Sequence, residues 1–342
     1  MQDGVAVLRV PLFPSHSASG LARFANFTSF AASSALASGW LKNADVNYAY
    51  FTSATAVTAA LVLAPKVPFV LNVQDLWPES VTGSGMISPT VAELVANVLN
   101  PWLAALYRRA SAVVGISPSL TAELVARGAD LGTAQTIFNV GPENERVDIE
   151  SANPRFHHGL RLLYAGNIGV MQDVSTIIKA MALIKDLTDV TLDVIGDGVE
   201  AQGARAEAAN LSLDRVAFYG RQPKSVVEAA YSDHDFQIVT LKDLPLARMT
   251  MPSKIQEGLA AGMPIITTVA GDVTDLVSSN KIGLCAKPGD PTELAKMIRR
   301  AYSFSGDEID GTRRRAKTLY DTHMSPEKVF PKWESLLHEV AR

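Results

Sequence analysis

The sequence predicts an α/β protein of two doubly wound parallel-sheet domains, and three observations carry that expectation. Short β-rich runs alternate with helical segments along the whole chain, as they do where parallel strands are joined by crossover helices. The strand runs are too continuously apolar to alternate inward and outward, which suits strands covered on both faces. The stretch "GPENERVDIESANPRFHHG", 141–159, is polar, holds two prolines and follows neither period, so it reads as a linker. It separates a domain at 1–145 from one at 155–324. Ligands of open α/β sheets bind outside the carboxyl ends of the strands, so two such domains would face a cleft.

The elements follow in order. The first domain offers "GVAVLRV", "NYAYFT", "PFVLNV", "AVVGIS" and "AQTIFNV" as strands; the second offers "LRLLYAG", "VTLDVIGDG", "VAFYG", "FQIVTL", "PIITTV" and "IGLCAKPG". Helical runs at 173–185, 200–210, 223–231 and 291–302 lie between them, and 325–342 forms a terminal amphipathic helix. The N-terminus opens directly on what reads as the second strand of a Rossmann-like domain, without the usual first strand, glycine loop and helix. Either that domain is naturally short or its reading frame starts further upstream.

Composition excludes several classes. With 47% hydrophobic and 19% charged residues, the chain resembles an ordinary soluble enzyme. A net charge of −4 without a basic patch argues against nucleic acid as a partner. One cysteine, Cys285, permits no intramolecular disulfide, and the N-terminus shows no charged region followed by an apolar one, so a cytoplasmic location is expected. The most apolar stretch, ending in "PFVLNV", is broken by Pro65, Lys66 and Pro68, so it reads as a helix and a buried strand and not a membrane span. Six scattered histidines show no ligand spacing, so neither a metal nor a resident cofactor is expected.

Four stretches could carry chemistry. In "LRLLYAGNIGVMQDVSTIIKAM", 160–181, a strand ends at Gly166 and the turn Asn167-Ile168-Gly169 leads into a helix. Such a turn lets backbone N–H groups approach an anion, though a plain tight βα turn fits as well. Gly196-x-Gly198-x-x-Ala201, with Asp214 beyond it, matches the dinucleotide fingerprint formally, but it follows the second strand of its domain instead of the first. "PSKIQEGLAAGMPII", 252–266, is a helix with Pro252 before its first turn, Gly262 after its last, and Glu257 in an otherwise small and apolar body. A glutamate there can accept bonds from two vicinal ribose hydroxyls, while Ser253 and Lys254 meet a diphosphate. In "NVQDLWPES", 72–80, a strand ends at Asp75, and Trp77, Pro78 and Glu79 form a rigid turn; the alternative is that Asp75 caps the turn and Trp77 is core.

Together these stretches resemble the retaining glycosyltransferases of family 4, which have the two-Rossmann GT-B fold. The motifs that carry the resemblance are "VQDLWPES", "YRRASAVVGISPSL", "IFNVGPEN", "LLYAGNIGVMQDVSTIIKA", "DVIGDGVE", "VAFYGRQP", "PSKIQEGLAAGMPII" and "GLCAKPGDPTELAKMI". Each alone is weak, but their order and spacing are specific. The likeness is greatest to the subgroup that builds bacterial O-antigens and capsules, including the fucosamine transferases. The resemblance implies an acceptor domain at 1–145, onto which the helix 325–342 packs back, and a nucleotide-sugar domain at 155–324. It also implies a UDP-sugar donor used as co-substrate, a polyprenyl-diphosphate-linked acceptor, and retention at the anomeric carbon. The sugar moved would be an N-acetylated deoxyhexosamine. Donor-binding residues would be Gly166, Asn167, Gly169, Gly196, Arg248, Ser253, Lys254 and Glu257, with Asp75 or Glu79 orienting the acceptor hydroxyl. Glu257 matches the second glutamate of the family's E-x7-E motif.

Three departures stand out. Met249 occupies the place of the first glutamate, whose sugar contact is then missing or supplied otherwise. The basic pair that often follows the glycine turn is absent, with Asn167 and Gln172 near those places, and Arg248 and Lys254 are the nearest substitute cations. The first βα unit of the N-terminal domain is missing. The helix at 91–112 ends in Trp102, Tyr107, Arg108 and Arg109 and reads as packed on the sheet or lying on an anionic membrane surface. Two other functions fit the same residues: a UDP-sugar 2-epimerase of the same fold, and an inactive truncated relative acting as a binding protein.

Overall fold

The computed structural model describes residues 4–14, 20–62, 67–82, 88–141 and 159–342. The chain divides into two compact units, Met1–Ile137 with Pro331–Arg342, and Phe138–Phe330. The linker expected at 141–159 falls, apart from its end residues Gly141 and Gly159, outside the described residues.

The first unit runs α1 (Gly20–Ala37), β1 (Asn47–Phe51), α2 (Thr58–Val62), β2 (Phe69–Val73), α3 (Glu79–Thr82), α4 (Pro89–Arg109), β3 (Ala112–Gly115), α5 (Pro118–Ala126) and β4 (Ala134–Thr136). Its four strands pair in parallel in the order β1-β2-β3-β4. Every residue of β2 is buried, as expected of a central parallel strand, whereas β1 alternates and leaves Tyr48 and Tyr50 half open. Helices α4 and α5 both start on a serine cap followed by proline. Ser88 accepts from the Val91 N–H and Ser117 from the Leu120 N–H, which satisfies donors the helix cannot pair itself.

The run "GVAVLRV" differs from expectation. It forms a single bridge at Val5 and otherwise continues as irregular chain, with Val5, Val7 and Leu8 exposed. Its β-branched residues have strand propensity, but a strand needs a ladder along its length and cover on its faces, and among the described residues it has one bridge.

The second unit runs β5 (Leu160–Ala165), α6 (Val174–Ala182), β6 (Val190–Ile195), α7 (Ala201–Asn210), β7 (Val216–Gly220), α8 (Lys224–Asp233), β8 (Phe236–Val239), α9 (Ser253–Ala260), β9 (Ile265–Thr267), α10 (Asp272–Ser279), β10 (Gly283–Cys285), α11 (Pro291–Tyr302) and α12 (Gly306–His323). A last helix, α13 (Pro326–Val340), begins here, and its residues from Pro331 on cluster with the first unit, where Trp333 meets Tyr48 edge-on at 5.1 Å. The six strands are all parallel, in the order β10-β9-β8-β5-β6-β7. Leu162, Tyr164, Leu192, Val194 and Phe236 pack with α6 and α7 in one core, and Val239 and Ile265 pack with α9, α10 and α12 in another.

Because β5 has β6 on one side and β8 on the other, the chain reverses its direction of travel across the sheet at the carboxyl end of β5. That reversal leaves a crevice, the usual ligand position in such folds. The turn leaving β5 has Gly166 at φ +134°, and the turn leaving β6 has Gly196 at φ +146°. A Cβ on Gly196 would overlap the Gly166 carbonyl oxygen, so the two turns touch backbone to backbone. Gly196→Ala combines this overlap with an unfavourable φ and should lower the stability of the second unit by ~3 kcal/mol or more in denaturant unfolding. Gly289→Ala, also at positive φ but with open space around its Cβ, should lose only about 1 kcal/mol.

Candidate functional site

The site grows from α9. Its register turns Ile255 and Leu259, four residues apart, into the core, and it stops where Gly262 takes φ +65°. The opposite face carries Ser253, Gln256 and Glu257 into a cavity of about 580 Å³ at the carboxyl ends of β5 and β6. Gly166, Asn167, Gly196 and Asp197 line it from the two glycine turns, and Arg221 and Gln222 from the loop after β7. That volume lies in the range of sites for mid-sized organic ligands.

Glu257 is half-buried and held from behind. The Tyr231 hydroxyl donates to Glu257 Oε2 at 3.4 Å and accepts from Gln237 Nε2 at 3.4 Å. Burial, with the Glu257 charge second, raises the Tyr231 hydroxyl well above its ordinary range, so it remains a donor at any working pH. The carboxylate is thereby oriented while keeping lone pairs for a ligand.

The two candidate cations separate. Neither lines the cavity itself, and Arg248 has its guanidinium bound to both oxygens of Asp243 at 3.0 Å and more than half exposed. Lys254 crosses Gly166. Its Nζ donates to the Tyr164 hydroxyl at 3.2 Å and sits 4.9 Å above that ring, and a Cβ on Gly166 would overlap Lys254 Cε. The Tyr164 hydroxyl in turn donates to the Asn167 carbonyl at 2.5 Å, so lysine and glycine turn are tied together. Burial pushes the Lys254 ammonium down to about 8, partly offset by Glu257.

Gly169 sits on the same turn but its N–H is engaged: it donates to Gln172 Oε1 at 3.1 Å, and Asn167 Nδ2 donates to the same oxygen at 3.2 Å. Gln172 thus closes the turn on itself. The dinucleotide fingerprint has another explanation. A Cβ on Gly198 would overlap the Ile168 carbonyl, so Gly196 and Gly198 serve the contact between turns, and Asp214 lies in a separate cavity with Lys185 and Arg215.

In the first unit, Asp75 follows β2 and is exposed, yet desolvation by its surroundings raises its carboxyl above the usual carboxylate range. Glu79 is bound bidentately by Arg127, at 3.0 and 2.8 Å, and Arg127 also reaches the Trp77 carbonyl at 3.1 Å and Glu123 at 2.7 Å. Glu79 therefore braces the turn that carries Asp75. Trp77 is core, with its indole N–H donating to the Thr52 carbonyl at 3.2 Å and its ring edge-on to Phe27 at 5.4 Å.

Sequence reasoning missed Tyr231, Gln237, Gln256 and Arg221. Gln256 had a signal, since it stands three residues after Ser253 and so shares its face. Tyr231 and Gln237 had none, because nothing local ties them to Glu257.

Two parallel-sheet units, one with a carboxylate beside paired glycine turns at a strand-order reversal, form an arrangement suited to an anionic ligand. Comparison with known proteins agrees. The family model "Glycosyl transferase 4-like domain" matches residues 1–139 and "Glycosyl transferases group 1" matches 147–316. The N-acetyl-alpha-D-glucosaminyl L-malate synthase of Bacillus anthracis is 24% identical over 242 residues, covering 67% of this chain and 60% of its own length. The amylovoran biosynthesis glycosyltransferase AmsK of Erwinia amylovora is 24% identical over 199 residues, covering 56% and 47%. The chain thus spans roughly half of these curated relatives. Among solved structures, Anabaena HepE in complex with UDP and glucose aligns at TM-score 0.68 and 18% identity, covering 95% of this chain and 84% of its own. WaaG, a glycosyltransferase involved in lipopolysaccharide biosynthesis, aligns at TM-score 0.65 and 15% identity, covering 98% and 85%. The chain belongs to the glycosyltransferases, with the two Rossmann-like domains of the GT-B fold.

The two cations predict different behaviour. Lys254→Met should abolish most of any stabilisation by a nucleoside diphosphate, and Arg248→Met should keep it, as read by melting shifts. Stability against pH checks the burial of Lys254 independently. Its ammonium titrates near 8 in the folded chain and 10.5 when unfolded, so between those values the unfolded chain binds more protons. Wild-type stability measured relative to Lys254→Met should therefore be flat below pH 8 and rise from 8 to 10.5.

Proposed function

We propose that the protein transfers a sugar from a UDP-sugar to a polyprenyl-diphosphate-linked acceptor, with retention, in the synthesis of a cell-surface polysaccharide. The sugar would be an N-acetylated deoxyhexosamine, and the site of action the cytoplasmic side of a membrane. The observation that carries this reading is the Glu257 carboxylate, backed by Tyr231 and opening into a cavity walled by two glycine turns. A carboxylate so placed grips ribose hydroxyls through charge-assisted bonds, and the N–H groups of Ser253 and Lys254 at the start of α9 favour a diphosphate beside it. Lys254 is the cation that neutralises the leaving diphosphate. That diphosphate takes the proton of the acceptor hydroxyl, which Asp75 orients. UDP in the HepE structure and the polysaccharide role named for AmsK are consistent with this reading.

Support for a membrane-borne acceptor comes from α4. Leu103, Leu106 and Tyr107 face inward, but Val91, Leu94, Val98 and Trp102 form an exposed apolar stripe on another face, ahead of the exposed Arg108 and Arg109. An apolar stripe ending in a basic pair suits a helix lying in the interface of an anionic bilayer. No described helix is long and apolar enough to cross one.

The test of the donor site is thermal stability with UDP, GDP, CDP and dTDP. At 100 times its dissociation constant UDP should stabilise the wild type by about 2.7 kcal/mol, and Glu257→Ala should lose most of that shift. No shift with any nucleotide would sink the reading. For the membrane, Leu94→Ser with Val98→Ser should release the protein from phosphatidylglycerol vesicles in co-sedimentation while leaving its melting temperature within a few degrees.

A further inference from the structure

The helix that carries Glu257 buries a second polar side chain, and the reading above has no use for it. Gln256 is 2% exposed and lines the same cavity, yet its amide nitrogen has no hydrogen-bond partner among the described residues. A primary amide carries two donors and an acceptor, and a buried one left unpaired destabilises the protein that holds it. An apolar side chain of equal size would avoid that cost in the empty protein. The amide is accounted for if a bound molecule completes its hydrogen bonds.

Its place on α9 says which part of the molecule. At 100° per residue, Glu257 lies about 40° to one side of Ser253, and Gln256 about 60° to the other. The Glu257 side is the side of α8, from which Tyr231 reaches the carboxylate. If Glu257 holds the ribose, Gln256 lies on the far side of Ser253 from it, away from the nucleoside. There the transferred sugar hangs. Met249 stands where the family's sugar-contacting glutamate would be, and a thioether sulfur is only a weak acceptor.

We infer that Gln256 is a specificity-determining residue that hydrogen-bonds the sugar of the donor, supplying through an amide the contact that Met249 cannot. The inference rests on the UDP-sugar reading of the cavity. An amide both donates to and accepts from hydroxyls or an acetamido group, so it would select a sugar bearing such a group at the contacted position without adding charge.

The test compares UDP with UDP-N-acetylglucosamine and UDP-glucose by calorimetric titration, on wild type, Gln256→Leu and Glu257→Ala. Gln256→Leu should bind UDP within twofold of wild type and bind at least one of the two UDP-sugars about tenfold more weakly. Its melting temperature without ligand should hold or rise, because an unpaired buried amide has been removed. Three outcomes overturn the inference: equal weakening for UDP and both UDP-sugars, no weakening for any, or a sharp fall in the ligand-free melting temperature, which would give the amide a structural role. Failure of the underlying reading looks different, since wild type would then bind no UDP and Glu257→Ala would change nothing.

Discussion

The contact on which the site depends is between two pieces of backbone. The turn leaving β6 lies against the turn leaving β5 so closely that Gly196 and Gly198 have no room for a side chain, and Gly166 is crossed from the other direction by Lys254. Three consequences follow from that one crowding. The loops at the carboxyl ends of two neighbouring strands are fixed together, the cavity wall beside them is backbone that a ligand can approach closely, and Lys254 is seated against Gly166. The Tyr164 hydroxyl closes the arrangement by bonding Lys254 on one side and the Asn167 carbonyl on the other. Buried among apolar residues, it stays protonated and so keeps donating.

The same design principle recurs around Glu257 and in the first unit. The single long bond from Tyr231 gives the Glu257 carboxylate a direction without occupying all its lone pairs. Glu79 is treated differently, with both oxygens committed to Arg127. The contrast separates a carboxylate that faces a cavity from one that braces a loop. Asp75, next to the braced turn, keeps an exposed carboxyl whose charged form is partly disfavoured by its surroundings.

The departures from the family pattern now have physical content. Gln172, near a place where relatives often carry a basic residue, bonds the Gly169 N–H and the Asn167 amide, so the turn is closed by a neutral side chain. Lys254, from α9, lies against the same glycine turn. Arg248, close to Lys254 in sequence, is neutralised by Asp243 in a pair open to solvent, where such a pair contributes little to stability.

The alternation of strands and helices, the polar break, the caps and the isolation of Glu257 in a small apolar helix are local facts. They depend on periodicity, on proline and glycine at element ends, and on one carboxylate in an apolar helix, and all of these lie within a few residues of one another. The sequence alone therefore determined the fold class, most elements and the helix that bears the site. It misled at "GVAVLRV", where propensity was present but a ladder was not. Tertiary structure decided what depends on distant partners: Lys254 against Tyr164, 90 positions away, and Arg127 against Glu79, 48 positions away. The seating of Lys254 against Gly166, the bracing role of Glu79 and the buried amide of Gln256 were set by packing. A side chain's charge is written in its residue type, whereas its partner is chosen by whichever element the fold brings within 3 Å of it.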